Sequence, residues 1–342
     1  MQKSANVLEI NSLPPLPLLH EATLSYLKTR KNLLAFSGGG DSTALFFLLL
    51  EHGIPFDIAH VNYQTRAQSN AEEQYARALA KNYQKEAFIF TCNLSPKNFE
   101  HNARHARYTF FERVIQEKEY DTLLSAHHLG DRLEWLLMQL CKGAGVVELL
   151  GMQEMEEKEG YMLIRPLLHL NKTSLLHYLN EKGAAYFHDE SNDEETYVRN
   201  YFRHHHASKL IETYASGIAK SFDYLEEDAK RLLPKAMKHI EELFIIEQAN
   251  DELLNIRSID KALKKLGIVA SYAQRQEILR THDCVVGGKV AVCYSDGAIY
   301  VAPFCTDTMD KSFKELCRCA RIPHKIRPYL YKKGIFPNAL LR

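Results

Sequence analysis

Residues 32–50 read Asn32-Leu33-Leu34-Ala35-Phe36-Ser37-Gly38-Gly39-Gly40-Asp41-Ser42-Thr43-Ala44-Leu45-Phe46-Phe47-Leu48-Leu49-Leu50, and this stretch decides the fold. An apolar run, three glycines and a second apolar run predict a buried strand, a tight turn and a helix. Glycines let the backbone approach an anion closely, and the free N–H groups at a helix start bind phosphate. The stretch therefore predicts a phosphate-binding loop, in which Asp41 is suited to hold magnesium.

The spacing of these glycines differs from that of two common nucleotide-binding motifs. No Gly-Lys-Ser/Thr follows at the spacing of a Walker A loop. The glycines are also consecutive, whereas a dinucleotide fingerprint needs G-x-G-x-x-G. An ATP site of another kind is the main interpretation, and a tight strand-to-helix connection without a ligand is the alternative. The candidate ATP-binding residues are Ser37, Gly38, Gly39, Gly40, Asp41 and Ser42.

Composition is that of an ordinary globular protein. The 342 residues are 46% hydrophobic and 25% charged, with a formal net charge of zero. No apolar run reaches the roughly 18 residues of a membrane span, and the start lacks a secretory signal. We therefore expect a cytoplasmic protein that does not bind membranes. The seven cysteines contain no C-x-x-C pair, which argues against a zinc site or a disulfide framework.

Positive charge is concentrated at the end of the chain. Between Lys311 and Arg342 there are nine Lys or Arg residues and one acidic residue, Glu315. A segment of this kind is suited to contact a nucleic-acid backbone. A solvated helix face is an equally valid interpretation of the pattern alone.

Strand and helix patterns alternate from residue 32 to residue 200. This rhythm predicts an α/β fold with a doubly wound parallel sheet, whose ligand site lies at the carboxyl ends of the strands. Beyond Arg203 the sequence appears mostly helical, and short hairpin strands are expected around Gly287-Gly288 and Asp296-Gly297. We predict an ATP-binding catalytic domain at 1–205, a helical domain at 206–282 and a small α+β domain at 283–342.

Three polar clusters follow strand ends or lie on helices of this first domain. Asp131 and Glu134 share a helix face and could hold magnesium or accept a proton, with His127 just before them. A capping acid and a solvated glutamate are the alternative. Arg104 and Arg107 present two guanidinium groups on one face, suited to phosphate unless that face is merely solvated. The third cluster spans 189–203, and His204-His205-His206 after it is interpreted as a polar helix turn.

These clusters resemble the ATP-pyrophosphatase (PP-loop) superfamily and, within it, the tRNA isoleucine-lysidine synthetases. The resemblance covers about residues 32–205, in the correct order. Its motifs are Ser37–Ser42, His60-Val61-Asn62 with Arg66, Glu100…Arg104…Arg107-Tyr108, Ala126-His127-His128…Asp131…Glu134, Lys142-Gly143-Ala144-Gly145, Ile164-Arg165-Pro166-Leu167-Leu168 and Asp189-x-Ser191-Asn192…Tyr197-x-Arg199-Asn200-x-x-Arg203. Gly130 and Arg132 depart from the family pattern, which usually has Asp and Gln there.

The resemblance implies a Rossmann-like fold and a two-step reaction on the wobble cytidine of the isoleucine tRNA whose anticodon is CAU. ATP, with Mg²⁺, adenylates the oxygen at carbon two of cytosine and releases pyrophosphate. The amine of L-lysine then displaces AMP and forms lysidine, which pairs with adenine instead of guanine. The expected partners are thus this tRNA and lysine, while the oligomeric state is left open, a homodimer included.

The resemblance also implies roles for individual residues. Catalysis is expected from Asp41, Asp131, Glu134, His127 and Arg104. The metal is expected at Asp41 and Asp131, and His60 joins the loop in binding ATP. The lysine and tRNA cleft is expected to contain Arg107, Asp189, Asn192, Arg199 and Arg203. The residues expected to contact the tRNA backbone are Lys311, Lys314, Arg318, Arg321, Lys325 and Arg327.

Two other functions share parts of this pattern. A tRNA thiolase of the same superfamily would need a cysteine pair or iron–sulfur ligands, which the cysteine spacing does not offer. An RNA-binding protein with a relic ATP site would not need Asp131 and Glu134 together with the loop. ATP-dependent release of pyrophosphate in the presence of tRNA separates a catalyst from a relic.

Overall fold

The computed structural model describes residues 18–65, 68–95, 98–188, 198–232 and 237–340. The chain forms two compact units, Met1–Glu226 and Glu227–Arg342. Some residues of the predicted site and of the family motifs lie outside the described residues: Arg66, Asp189, Ser191, Asn192 and Tyr197.

Both units contain helices and strands, which alternate through most of the first unit. The α-helices are α1 (Glu21–Lys28), α2 (Gly40–Glu51), α3 (Gln68–Asn82), α4 (Phe99–Lys118), α5 (Leu129–Leu140), α6 (Val146–Leu150), α7 (Lys172–Lys182), α8 (Val198–Phe202), α9 (Ser208–Leu232), α10 (Glu252–Lys265), α11 (Tyr272–Thr281), α12 (Lys311–Cys319) and α13 (Arg327–Lys333). The strands are β1 (Asn32–Ala35), β2 (Phe56–Asn62), β3 (Ala87–Thr91), β4 (Thr122–Leu124), β5 (Met155–Lys158), β6 (Tyr161–Ile164), β7 (Lys238–Ile240), β8 (Leu243–Glu247), β9 (Asp283–Val286), β10 (Val290–Ser295) and β11 (Ala298–Pro303). A π-helical turn, Arg203–Ala207, joins α8 to α9. Among the described residues, no helix combines the length and the apolar character that crossing a membrane requires.

The first unit contains a six-stranded sheet in the order β3-β2-β1-β4-β6-β5. Its first five strands in this order are parallel, and β5 runs antiparallel to β6 at the edge. The predicted α/β fold with a parallel sheet is therefore confirmed. Because β1, β2 and β4 are parallel, their carboxyl ends meet at one edge of the sheet, where the glycine loop begins.

Helices cover both faces of this sheet. Successive strand residues point to opposite faces, so Leu34 packs with Leu45 of α2 and Leu175 of α7. Its neighbour Leu33 packs on the other face, with Phe110 of α4. All of these side chains are buried. The doubly wound arrangement thus holds β1 rigidly, and with it the loop that carries Asp41.

The second unit contains a five-stranded antiparallel sheet in the order β7-β8-β11-β10-β9. Val292 of β10 packs with Ile259 of α10 on one face. The next residue, Cys293, packs with Phe313 of α12 on the other face. The hairpins predicted around Gly287-Gly288 and Asp296-Gly297 are present, because β9, β10 and β11 pair in sequence order.

The second unit corrects the helical assignment of residues 206–282. Within that range β7 and β8 are strands, and β8 pairs with β11 in the same sheet as the hairpins. The two compact units meet in sequence at Glu226 and Glu227, rather than at residues 205 and 282. The apolar run Leu243–Ile246 is too short to be told from a helical pattern, so its pairing with β11 decides its structure.

Candidate active site

The glycine loop is fixed by hydrogen bonds within it and by one from Phe187. Gly38 has a φ of 85°, a left-handed conformation that favours glycine. Its carbonyl oxygen accepts a bond of 2.9 Å from the Phe187 N–H. The hydroxyl groups of Ser37 and Ser42 lie 3.1 Å apart across the loop. Gly39 precedes α2 and has no capping side chain, so the first N–H groups of α2 can bind an anion.

A cleft of about 1160 Å³ lies beside this loop. Its walls come from the strand ends, α4, α5, α7, α8 and the start of α9. Most of the predicted catalytic and cleft residues line it, namely Asp41, Arg104, Arg107, His127, Asp131, Glu134, Arg199 and Arg203. Of the predicted ATP-binding residues 37–42, Asp41 lines the cleft. This volume is slightly larger than the roughly 300–1,000 Å³ typical of sites for small-molecule ligands.

Two carboxylates of α5 and two arginines of the following helical segment form an ion-pair cluster. Arg199 donates to Asp131 Oδ1 at 2.6 Å and to Glu134 Oε2 at 2.9 Å. Arg203 donates from Nε to Glu134 Oε1 at 2.6 Å. Glu134 is 2% exposed, so its charge is balanced by these guanidinium groups rather than by water. Four predicted site residues therefore belong to one ion-pair cluster: Asp131, Glu134, Arg199 and Arg203.

Asp131 is ionised in this cluster. Burial alone raises its pKa, but His128 and Arg199 outweigh burial and hold the pKa well below its usual range. Its second oxygen, Oδ2, accepts a bond of 3.0 Å from the His128 N–H at the start of α5. Asp131 thus takes part in the capping box of α5, in line with the capping interpretation of the sequence, and it also pairs with the arginines.

His128 connects the loop to α5. Its Nε2 lies 3.8 Å from Asp41 Oδ2 and 3.6 Å from Asp131 Oδ2. Its Nδ1 accepts a bond of 3.0 Å from the Gly130 N–H, which leaves Nε2 as the ring nitrogen that carries a proton. The ring therefore presents a donor toward both carboxylates. The sequence places His128 in a family motif, but a chemical role was predicted for His127 alone.

Asp41 has an unused oxygen. Its Oδ1 is buried and has no hydrogen-bond partner among the described residues. A buried carboxylate oxygen without a donor is costly unless a cation or ligand meets it. The donor set at Asp41 therefore fits a magnesium ion. Asp131 fits less well, since both of its oxygens already accept hydrogen bonds.

The family of the chain follows from comparison with known proteins. Residues 17–210 match the PP-loop domain family. The tRNA(Ile)-lysidine synthase of Campylobacter jejuni strain RM1221 is 44% identical over 324 residues, which cover 94% of this chain and 99% of that protein. The chain belongs to the tRNA(Ile)-lysidine synthase family. The synthase of Wolinella succinogenes is 47% identical, with 90% and 95% covered, and that of Helicobacter pylori strain 26695 is 40% identical, with 90% and 91% covered.

The two departures from the family pattern have structural partners. A Cβ atom at Gly130 would lie 2.7 Å from Cε1 of the His128 ring, so glycine leaves room for that ring. Arg132 is buried with its guanidinium 4.0 Å from the centre of the Phe222 ring. It also pairs with Glu226, which ties α5 to the long helix α9. Gly130 and Arg132 therefore shape the surroundings of Asp131 in this member of the lysidine synthase family.

Arg104 and His60 lie outside the ion-pair cluster formed by the other predicted residues. Arg104 is exposed at the cleft, with its guanidinium 4.8 Å from the centre of the Tyr108 ring. His60 is buried, and its Nδ1 lies 3.0 Å from the Phe36 carbonyl oxygen. Burial lowers the pKa of His60, so it is neutral. His60 is not among the residues that line the cleft, and its role in binding ATP stays a prediction.

The basic residues of the second unit are partly neutralised. Arg318 pairs with Glu315 on α12, and Lys325 lies 3.0 Å from Asp283 Oδ1. Arg321 lies 2.8 Å from Asp296 Oδ1. Lys311 and Lys314 are exposed on α12, whereas Arg327 donates to the Ile322 carbonyl. The local charge available to a tRNA backbone is therefore smaller than the residue count indicates.

One wall of the cleft was missed from the sequence. It consists of α7 residues, among them Lys172, Thr173, His177 and Asn180. Asn171 caps this helix by accepting a bond of 2.8 Å from the Ser174 N–H. Its capping pattern predicts a helix start after β6, but nothing in the local sequence indicates that this helix faces Asp131.

Neutral His127 gives a pH prediction. Burial lowers the pKa of His127 to about 4, although the charge of Asp131 acts in the opposite direction. We expect its ring to stay neutral from pH 8 to pH 5, whereas an ordinary histidine titrates near 6.5. The unfolded chain takes up this proton near pH 6.5 and the folded chain only near 4, so stability falls as the pH drops through that window. Carbon-13 NMR of the histidine rings, with the signal assigned by His127→Gln, checks this. A midpoint near 6.5 would contradict it.

Proposed function

We propose that this chain is a ligase that joins L-lysine to carbon two of the wobble cytidine in the CAU-anticodon isoleucine tRNA. Cytosine O2 attacks the α-phosphorus of ATP and pyrophosphate leaves. The lysine amine then attacks carbon two, the carbon–oxygen bond breaks, and AMP leaves as the amine loses a proton. Membership of the lysidine synthase family supports this reaction. The observation that carries it structurally is the meeting of Asp41, Asp131 and Glu134 in one cleft.

The loop and Asp41 serve the adenylation step. The N–H groups at the start of α2 bind phosphate oxygens. Asp41 would hold a magnesium ion, because its Oδ1 has no hydrogen-bond partner among the described residues, and Asp131 would be the second carboxylate beside it. Magnesium supplies positive charge that stabilises the pyrophosphate leaving group. Arg104 adds fixed positive charge at the cleft, while neutral His127 donates a hydrogen bond rather than charge.

Glu134 serves the second step. A lysine amine is a cation at neutral pH and needs both a counter-charge and a base before it can attack carbon two. Glu134 supplies both functions, because its carboxylate accepts hydrogen bonds from Arg199 and Arg203 and lies at the cleft. The incoming ammonium takes over part of the guanidinium contact with Glu134. Arg107 lines the cleft and is proposed to contact lysine or tRNA, and the same role for Asp189 and Asn192 stays a prediction from the sequence.

The remaining tRNA contacts lie on the second unit. Lys311 and Lys314 on α12 contact phosphates directly, and Arg318, Arg321, Lys325 and Arg327 do so after their internal partners exchange for phosphate. Such contacts position the tRNA but carry no sequence information by themselves. We place the enzyme in the cytoplasm, where its tRNA substrate is found.

Incorporation of labelled lysine tests the function. Wild-type protein is incubated with the CAU-anticodon isoleucine tRNA, with and without ATP, and with the CAU-anticodon methionine tRNA as control. We expect lysine transfer to the first tRNA alone, and only with ATP. Pyrophosphate release without lysine transfer would assign another nucleophile to the cleft. No turnover with either tRNA would favour the RNA-binding protein with a relic ATP site.

A further inference from the structure

The side chain of Ser125 contacts the ring of His127. Ser125 follows β4, and its hydroxyl oxygen lies 2.7 Å from His127 Nδ1. His127 is among the residues that line the cleft, whereas Ser125 is not. Because this contact occupies Nδ1, Nε2 is the ring nitrogen left for a ligand.

The backbone on both sides of His127 is fixed by hydrogen bonds. The Ser125 N–H donates to the Ile164 carbonyl at 2.9 Å, which joins the end of β4 to β6. The Leu129 N–H donates to the Leu170 carbonyl at 2.9 Å. The position of the His127 ring therefore depends on its own side-chain torsions, and the Ser125 hydroxyl is the described group that hydrogen-bonds the ring.

Two arrangements of protons fit this contact, because a serine hydroxyl and a neutral imidazole nitrogen can each donate or accept. If Nδ1–H donated to Ser125, the hydroxyl proton would lack an acceptor and His127 Nε2 would lack a donor among the described residues. If the hydroxyl donates to Nδ1, only the N–H at Nε2 is left for a ligand. The second arrangement satisfies more polar groups and places the ring proton on Nε2.

The surroundings of the ring keep it uncharged. Burial is the largest cause that lowers the pKa of His127 to about 4, and the charges of Arg165, Arg199 and Arg107 act in the same direction. At neutral pH the ring thus carries a single proton. The chemistry that it offers to the cleft depends on which nitrogen holds that proton.

We propose that Ser125 is a positioning residue, which keeps the proton of His127 on Nε2 so that the ring donates a hydrogen bond to a phosphate oxygen of ATP during adenylation. The inference rests on the proposed function and assigns a further residue to its first step. A fixed donor stabilises the charge that develops on the phosphate oxygens in the transition state. The proton is shared with the oxygen and not transferred, so the ring is neutral before and after the step.

Ser125→Ala tests this role, with Ser125→Thr as the variant that keeps the hydroxyl. Ser258→Ala is the matched control, because the buried Ser258 hydroxyl donates to the Leu254 carbonyl at 2.8 Å and does not line the cleft. Single-turnover pyrophosphate release is measured with labelled ATP and the CAU-anticodon isoleucine tRNA. Each Ser125 variant is also made in the His127→Gln background.

We expect Ser125→Ala to slow pyrophosphate release about tenfold, the loss of one hydrogen bond made to the transition state. The KM values for ATP and tRNA should stay within about twofold of wild type, since ground-state binding is unchanged. Ser125→Thr and Ser258→Ala should release pyrophosphate at the wild-type rate. In the His127→Gln background Ser125→Ala should cost less than about twofold, because the hydroxyl acts through the ring. An unchanged rate in Ser125→Ala, or the same tenfold loss in both backgrounds, would overturn the role of Ser125.

Nitrogen-15 NMR of the histidine rings reads the proton position directly, with the His127 signals assigned by His127→Gln. We expect wild-type protein to carry the proton on Nε2 and to show Nδ1 as a hydrogen-bonded acceptor. In Ser125→Ala the Nδ1 resonance should move to that of an acceptor without a donor. A proton on Nδ1 in wild-type protein would overturn the proposal without any variant of Ser125. Wild-type protein that transfers no lysine would instead overturn the proposed function.

Discussion

Asp41→Asn abolishes lysidine formation, with pyrophosphate release expected to fall on the order of a thousandfold. Asp41 faces the cleft at the start of α2, and its Oδ1 is buried without a hydrogen-bond partner among the described residues. An amide at this position keeps the shape of the side chain but removes the charge that holds magnesium. The chemical step should therefore be lost while the fold persists.

The same substitution should not destabilise the protein. The Asp41 side chain is 28% exposed and its Oδ2 lies 3.8 Å from His128 Nε2, so the change removes neither a fully buried charge nor a close ion pair. We expect a melting temperature within about 2 °C of wild type. Glu51→Gln is the matched control, because Glu51 lies at the other end of α2 and pairs with Lys182 at 2.6 Å. It should retain full activity. Retention of a tenth or more of the activity by Asp41→Asn would remove the metal proposal.

Glu134→Gln should separate the two chemical steps. We expect lysine transfer to fall about a thousandfold, because an amide neither attracts nor deprotonates the lysine amine. Pyrophosphate release should fall less than tenfold, since the loop and Asp41 are unchanged. Single-turnover experiments with labelled ATP and labelled lysine measure the two steps independently. An equal loss in both steps would contradict the assignment of Glu134 to lysine.

A double substitution tests the ion-pair cluster behind that assignment. Glu134→Gln leaves Arg199 and Arg203 with too little negative charge, and we expect a loss of roughly 2 kcal/mol in unfolding free energy. This value is below that of a fully buried pair, because the arginine side chains are a third and a fifth exposed. Adding Arg203→Gln should restore part of the stability but none of the lysine transfer. If the losses of stability from the two substitutions simply add, Glu134 and Arg203 are not coupled.

The sequence predicts the first unit well because its signals are local. The apolar runs that become β1, β2 and β3 are bounded by turns, and helices α3 and α5 follow 3.6-residue patterns. The glycine loop and the order of the motifs also identify the family before any contact is known. Such features depend on residues close together in the chain, where pattern and structure coincide.

Contacts between distant residues could not be predicted in the same way. Glu134 and Arg203 are 69 positions apart, and no spacing rule pairs them. Strand β5 reads Met-Glu-Glu-Lys, which has little strand preference, and only its pairing with β6 makes it a strand. The placement of α7 at the cleft likewise depends on the sheet order. The candidate site was therefore predicted as a set of residues, but its ion pairs and the wall formed by α7 were not.

Strand β5 also affects how the protein behaves in concentrated solution. An edge strand offers free N–H and C=O groups to any other extended chain, which makes it a starting point for aggregation. Three of the four residues of β5 are charged, and Lys158 and Arg165 both contact Glu156. A second strand approaching this edge would have to displace or bury those charges. The edge that closes the catalytic sheet thus also protects the protein against self-association through β-strands.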